Sequence, residues 1–140
     1  MNNNKAPTRY LIIFLWLISI HSICVGIALI TFPAHLISAF GIEICNKFFP
    51  TQSGVLHIIM GIFYVLAIKN IGKHDLLIVF SVFVKFIATI FLASYYIFMD
   101  QALVILLSGI GDFLMGVILW LLFRAYKKIA DRKVNNRMIK

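Results

Sequence analysis

Residues 75–123 read DLLIVFSVFVKFIATIFLASYYIFMDQALVILLSGIGDFLMGVILWLLF, and this stretch decides the fold. Two apolar runs flank a turn at Asp100 and Gln101, and each run carries one interior charge. Lys85 stands 15 residues before Asp100, and Asp112 stands 12 residues after it. In an antiparallel helical hairpin, positions nearly equidistant from the turn come level with each other. A charge at mid-bilayer is costly, so it turns inward and pairs, and it marks a candidate functional site.

The rest of the chain has the same character. Of 140 residues, 62% are apolar and 13% charged, about half the ~25% charged of an average soluble domain. A soluble domain of this length cannot hide so much apolar surface, so lipid is its solvent. Strands are excluded, because lipid admits only helices or closed barrels and runs of 22 apolar residues are not barrel strands. The expected fold is all-α: a polytopic membrane protein with four transmembrane helices in an up-down-up-down bundle. The spans are 10–31, 53–69, 74–99 and 101–123, preceded by a polar segment 1–9 and followed by a basic tail 124–140.

The first run is longer than the ~7–15 residue core of a secretory signal, and no A-x-A site follows it, so it reads as a retained helix. Pro33, Gly41 and Pro50 punctuate the longest connection. Within it, Leu36, Ile37 and Phe40 have the spacing of a short interfacial helix. Phe48, Phe49 and Pro50 are expected at headgroup level, with Glu43 and Lys47 cancelling. Cys24 and Cys45 have neither CxxC nor zinc spacing. Cys24 lies inside a span, so two free thiols are expected.

The formal charge is +8, and seven of the thirteen basic residues follow Phe123. Lys5 and Arg9 precede span one, Lys69 and Lys73 join spans two and three, and the opposite side has only Lys47. This asymmetry predicts cytoplasmic termini in a bacterial inner membrane. Arg124, Lys127, Lys128, Arg132 and Lys133 are expected at anionic lipid headgroups, each contributing roughly 1 kcal/mol of attraction. The tail has no interleaved aromatics beyond Tyr126 and no folded platform, so nucleic acid is not an expected partner.

Counting inward from the basic edge of each span gives one recurring number. Arg9 to His21, Lys69 back to His57, Lys73 to Lys85 and Arg124 back to Asp112 are each 12 residues, or roughly 18 Å of helix. Four ionisable side chains, His21, His57, Lys85 and Asp112, are therefore expected in one mid-membrane layer. Side chains three or four apart share a helix face, and the faces carry small and polar residues suited to close helix approach. Gly54, His57, Gly61 and Tyr64 form such a stripe in span two; Ser81, Lys85, Thr89 and Ala93 in span three; Ser108, Asp112 and Gly116 in span four. Span one offers two neighbouring faces, His21 with Cys24 and Ala28, and Ser19 with Ser22 and Gly26.

The layer admits several chemistries. Lys85 and Asp112 are either a structural pair fixing helix register or groups handling a proton, ion or substrate. His21 and His57 have the ligand type for axial haem coordination, which makes a haem or quinone carrier, or an oxidoreductase subunit, the second reading. A Lys–Asp pair at the same level would crowd a porphyrin. Lys85 would also repel a cation, so no metal site is expected although His21, His57 and Asp112 suit one by type. Asp112 is the only acid inside the membrane, and no serine elbow or HExxH occurs. The first reading is therefore a non-enzymatic binding or accessory module. The third is a small proton or solute pathway working as a homo-oligomer or within a larger membrane complex.

Several short motifs resemble the small four-helix bacterial membrane proteins of the DoxX-like type. They are the proline-started Pro33-Ala34-His35-Leu36-Ile37-Ser38-Ala39-Phe40-Gly41-Ile42, then His57-Ile58-Ile59-Met60-Gly61-Ile62-Phe63-Tyr64, then Lys85, then Gly111-Asp112-Phe113. The resemblance covers about residues 11–123. It implies a cytoplasmic-membrane four-helix domain, with some such proteins serving as accessory subunits of quinone-coupled or redox systems. It carries no catalytic residues over. The chain also lacks the paired cysteines that a membrane thiol–disulfide oxidoreductase needs.

Overall fold

The computed structural model describes residues 6–41, 44, 46–73 and 75–138, with side chains from 7 to 132. The expectations placed on the segment before Ala6, on Glu43, Cys45 and His74, and on the side chain of Lys133 lie outside the described residues.

Five helices follow in order: α1 (Ala6–Thr31), α2 (Ala34–Ser38), α3 (Phe48–Lys69), α4 (Leu76–Phe98) and α5 (Leu103–Met138). Among the described residues there is no strand. α1, α3, α4 and α5 are each long and apolar enough to cross a membrane, and the chain is an integral membrane protein.

Local chemistry sets the boundaries. α1 stops ahead of Pro33, whose ring disfavours helical geometry in the preceding residue, and the Thr31 hydroxyl donates back to the Ile27 carbonyl at 2.8 Å. Pro33, extended at φ −66° and ψ 154°, then leads into the single turn and a half of α2. Gly41 ends it at φ 87°, a left-handed conformation that glycine adopts without a Cβ clash.

α3 begins at Phe48, five residues before the expected span. Pro50 falls in its first turn, where the missing N–H has no helical partner to lose. Asn46 caps the start, its Oδ1 accepting the Phe48 N–H at 2.8 Å. At the other end the Asn70 side-chain amide donates to the Leu66 carbonyl at 2.8 Å, and Gly72 turns the chain at φ 84°.

α5 runs 36 residues, well past Phe123. The tail contains neither glycine nor proline after Gly116, and Arg, Lys and Ala keep it helical. At 1.5 Å per residue it is about 54 Å long, against ~30 Å of hydrocarbon, so it is longer than crossing a membrane requires.

The helices associate as two antiparallel pairs. α1 packs along α3, with Ser19 against Gly61, Ser22 against His57 and Gly26 against Gly54. Numbers rise on one helix as they fall on the other. α4 packs along α5 in the same sense, with Lys85 against both Asp112 and Gly116, and Leu92 against Gly109. The two pairs join through one buried cluster: Leu11, Leu15 and Ile18 of α1, Tyr64 and Ala67 of α3, Ile78 and Val82 of α4, Leu119 and Phe123 of α5. All of these lie toward the end at which α1 starts and α3 finishes, here the basal end. α2 and the α4–α5 turn mark the distal end, where a Cβ on Gly41 would lie 3.7 Å from that of Ala102.

Candidate functional site: a polar cluster at mid-membrane

Glycine is what lets α1 and α3 meet so closely. A Cβ on Gly26 would sit 2.6 Å from the Gly54 carbonyl oxygen, and one on Gly54 would sit 2.7 Å from that of Gly26. No other side chain fits at either position without moving backbone. Without a hydrophobic force between helices in lipid, such contact and the hydrogen bonds it permits hold the pair. The Ser19 hydroxyl donates to the Gly61 carbonyl at 2.8 Å, and the Ser22 hydroxyl donates to the His57 carbonyl at 2.9 Å. Ser22 Oγ also lies 3.5 Å from His57 Nδ1.

The second pair is held by charge. Lys85 Nζ donates to Asp112 Oδ1 at 2.5 Å, with side-chain exposures of 8% and 15%. α4 supplies the lysine from its buried stripe, alongside Ser81, whose hydroxyl returns to the Leu77 carbonyl at 2.8 Å. One turn on, Thr89 Oγ1 donates to the Lys85 carbonyl at 2.9 Å and approaches the Gly109 carbonyl at 3.5 Å. α5 answers with Gly109 and Gly116. A Cβ on Gly116 would lie 3.2 Å from Lys85 Cβ, so the lysine stem rests against bare backbone.

The two pairs meet through the buried cluster that includes Tyr64 and Ala67 of α3 and Ile78 and Val82 of α4. Tyr64 is 1% exposed. The paired lysine and carboxylate thus join α4 to α5, while half-buried His57 and buried Tyr64 lie on α3.

Two residues expected in this interior are elsewhere. His21 is exposed, as is Cys24, and the buried face of α1 is the one bearing Ser19, Ser22 and Gly26. The α1–α3 backbone approach leaves no space for a porphyrin between the His21 and His57 imidazoles. Ser108 is exposed too, and the seam position beside α4 belongs to Gly109. Each correction is a rotation of one residue, about 100° around the helix. Ser22 is the contact missed by reading titratable groups alone; its clue was the Ser19, Ser22, Gly26 spacing.

At the basal end, Lys127 pairs with Asp75, Nζ to Oδ2 at 2.6 Å, rather than standing free for headgroups. Asp75 Oδ1 is buried with no hydrogen-bond partner among the described residues. The Arg124 guanidinium lies over the Trp120 ring at 5.9 Å, while Lys128 and Arg132 are exposed.

Compared with known family models, with curated proteins and with solved structures, the chain matches none.

Proposed function

We propose that this chain is a non-enzymatic binding or accessory module of the bacterial inner membrane, with both termini cytoplasmic and its exposed basic α5 extension lying against anionic lipid. The DoxX-like motifs belong to the same reading. The observation that carries it is the interior ion pair itself, Lys85 Nζ on Asp112 Oδ1 at 2.5 Å with side-chain exposures of 8% and 15%. A charged pair inside the membrane is by default a candidate functional site. Polar groups converging in an otherwise apolar setting are the usual make-up of a small-molecule site.

Mass spectrometry of the protein purified in mild detergent tests the proposal. The expected result is a stoichiometric small molecule that is absent from the folded double variant Lys85→Leu, Asp112→Leu. A wild-type chain carrying only bulk lipid, identical to that on the double variant, contradicts the proposal.

A further inference from the structure

α1 turns one face into the bundle and leaves the opposite face bare. On the bare face Tyr10, Ile13, Leu17, Ile20, Cys24 and Ile27 follow one another at alternating spacings of three and four. All six are exposed, the five large ones from 45% to 60%. Residues so spaced share a face, and carried along a helix the spacing is the a and d seam of a left-handed helix pair. By itself such a seam suits acyl chains as well as protein.

The two side chains flanking it do not suit acyl chains. Trp16 is 45% exposed, and His21 is exposed. They lie seven and 12 residues in from Arg9, roughly 10 and 18 Å at 1.5 Å per residue. His21 also stands ten residues before Thr31, the last residue of α1, or roughly 15 Å from it. The short imidazole therefore reaches neither headgroup layer. Hydrocarbon offers its ring nitrogens nothing, so a histidine at this depth belongs against another polar group.

The spacing of the two residues points to what that group is. With Leu17 at a and Ile20 at d, Trp16 is the g residue before them and His21 the e residue after them. In a parallel helix pair, g of one helix lies beside the following e of the other. Copies of one membrane protein share one orientation. Two α1 helices therefore meet in parallel about an axis along the membrane normal, and a two-fold contact is made twice. Trp16 of each copy then lies beside His21 of the other. Their chemistry matches, since an indole N–H only donates and a neutral imidazole keeps one accepting nitrogen.

We propose that the bare face of α1 binds a second copy of this chain, forming a parallel two-fold dimer. In it Trp16 Nε1–H of each copy donates to the His21 ring of the other, and Cys24 meets Cys24 on the seam. Lys85 and Asp112 join α4 to α5 and take no part, so the dimer stands apart from the binding-module reading.

The experiment uses the full chain with Cys45→Ser, which leaves Cys24 as its one thiol, in phosphatidylethanolamine–phosphatidylglycerol vesicles. Copper phenanthroline oxidises neighbouring thiols to a disulfide, and gel electrophoresis reads the covalent dimer. The expected result is a dimer through Cys24. With Cys24→Ser added, Leu17→Cys should give the same product, whereas Phe91→Cys and Ser108→Cys, exposed on α4 and α5, should not. Förster transfer between labelled copies, followed as the protein is diluted in lipid, measures dimer strength. Trp16→Phe and His21→Leu should each weaken the dimer about eight-fold, the loss of two interhelical hydrogen bonds. Combining them should weaken it no further, because either change alone already breaks the pair. Equal cross-linking at all four positions, no dimer through Cys24, or additive losses from the two substitutions overturns the proposal. So does a purified chain that stays monomeric in vesicles while Cys24 cross-links to a different protein in native membranes.

Discussion

The Ser19 hydroxyl donates a 2.8 Å hydrogen bond to the Gly61 carbonyl across the α1–α3 interface. That carbonyl already serves the helix ladder, so removing the hydroxyl orphans no acceptor. Ser19→Ala should therefore cost only ~0.6 kcal/mol, the average for interhelical hydrogen bonds measured in a membrane bundle. Unfolding from mixed micelles by a denaturing detergent measures it, and a loss of several kcal/mol would show that Ser19 does more than bridge two helices.

The glycines of the same interface are far less tolerant. A Cβ on Gly26 would fall 2.6 Å from the Gly54 carbonyl oxygen, and that atom is backbone and cannot swing aside. Gly26→Val should force the pair apart and cost roughly 3 kcal/mol or more, at the upper end of overpacking effects. The same unfolding assay checks it, with Ile27→Val, at an exposed neighbour, as the control expected to change little.

Adjacent positions on α5 should respond oppositely. Ser108 is exposed, whereas a Cβ on Gly109 would lie 3.3 Å from Leu92 Cβ. Ser108→Leu should stay within about 0.5 kcal/mol of the parent, as surface changes generally do. Gly109→Leu should cost ~1–3 kcal/mol by overpacking the α4–α5 seam. Equal effects would place the seam elsewhere on the helix.

The four spans were legible because hydropathy and length alone identify them, and the association of Lys85 with Asp112 was legible from their distances to Asp100. Which face of α1 is inside was not. In lipid both faces of a span are apolar, so the contrast that orients a soluble helix is missing. His21 attracts attention as a titratable group, yet the buried face follows Ser19, Ser22 and Gly26, residues chosen for small size. Ser108 and Gly109 repeat the lesson on α5. The early start of α3 and the long run of α5 escaped for another reason: Pro50 looks like a breaker but sits harmlessly in a first turn, and a change from apolar to basic composition ends a span without ending a helix.

The basal ion pair between Lys127 and Asp75 offers a contrast with the one at mid-membrane. Lys127 remains 45% exposed, and an exposed pair is screened by water and salt. Lys127→Ala should leave the melting temperature within error, and the small change that remains should vanish at high salt. A large, salt-insensitive fall would show that the latch between the α3–α4 turn and α5 is a main tie of the bundle.

The central claim is that Lys85 and Asp112 form a coupled interior pair joining α4 to α5. A double-mutant cycle with Lys85→Leu, Asp112→Leu and the two together, followed by unfolding from micelles, tests it most directly. Each single change strands one charge in the membrane and should cost roughly 3–5 kcal/mol, whereas the double change should cost clearly less than either. Additive losses, with the double variant as unstable as the sum of the singles, would contradict the pairing.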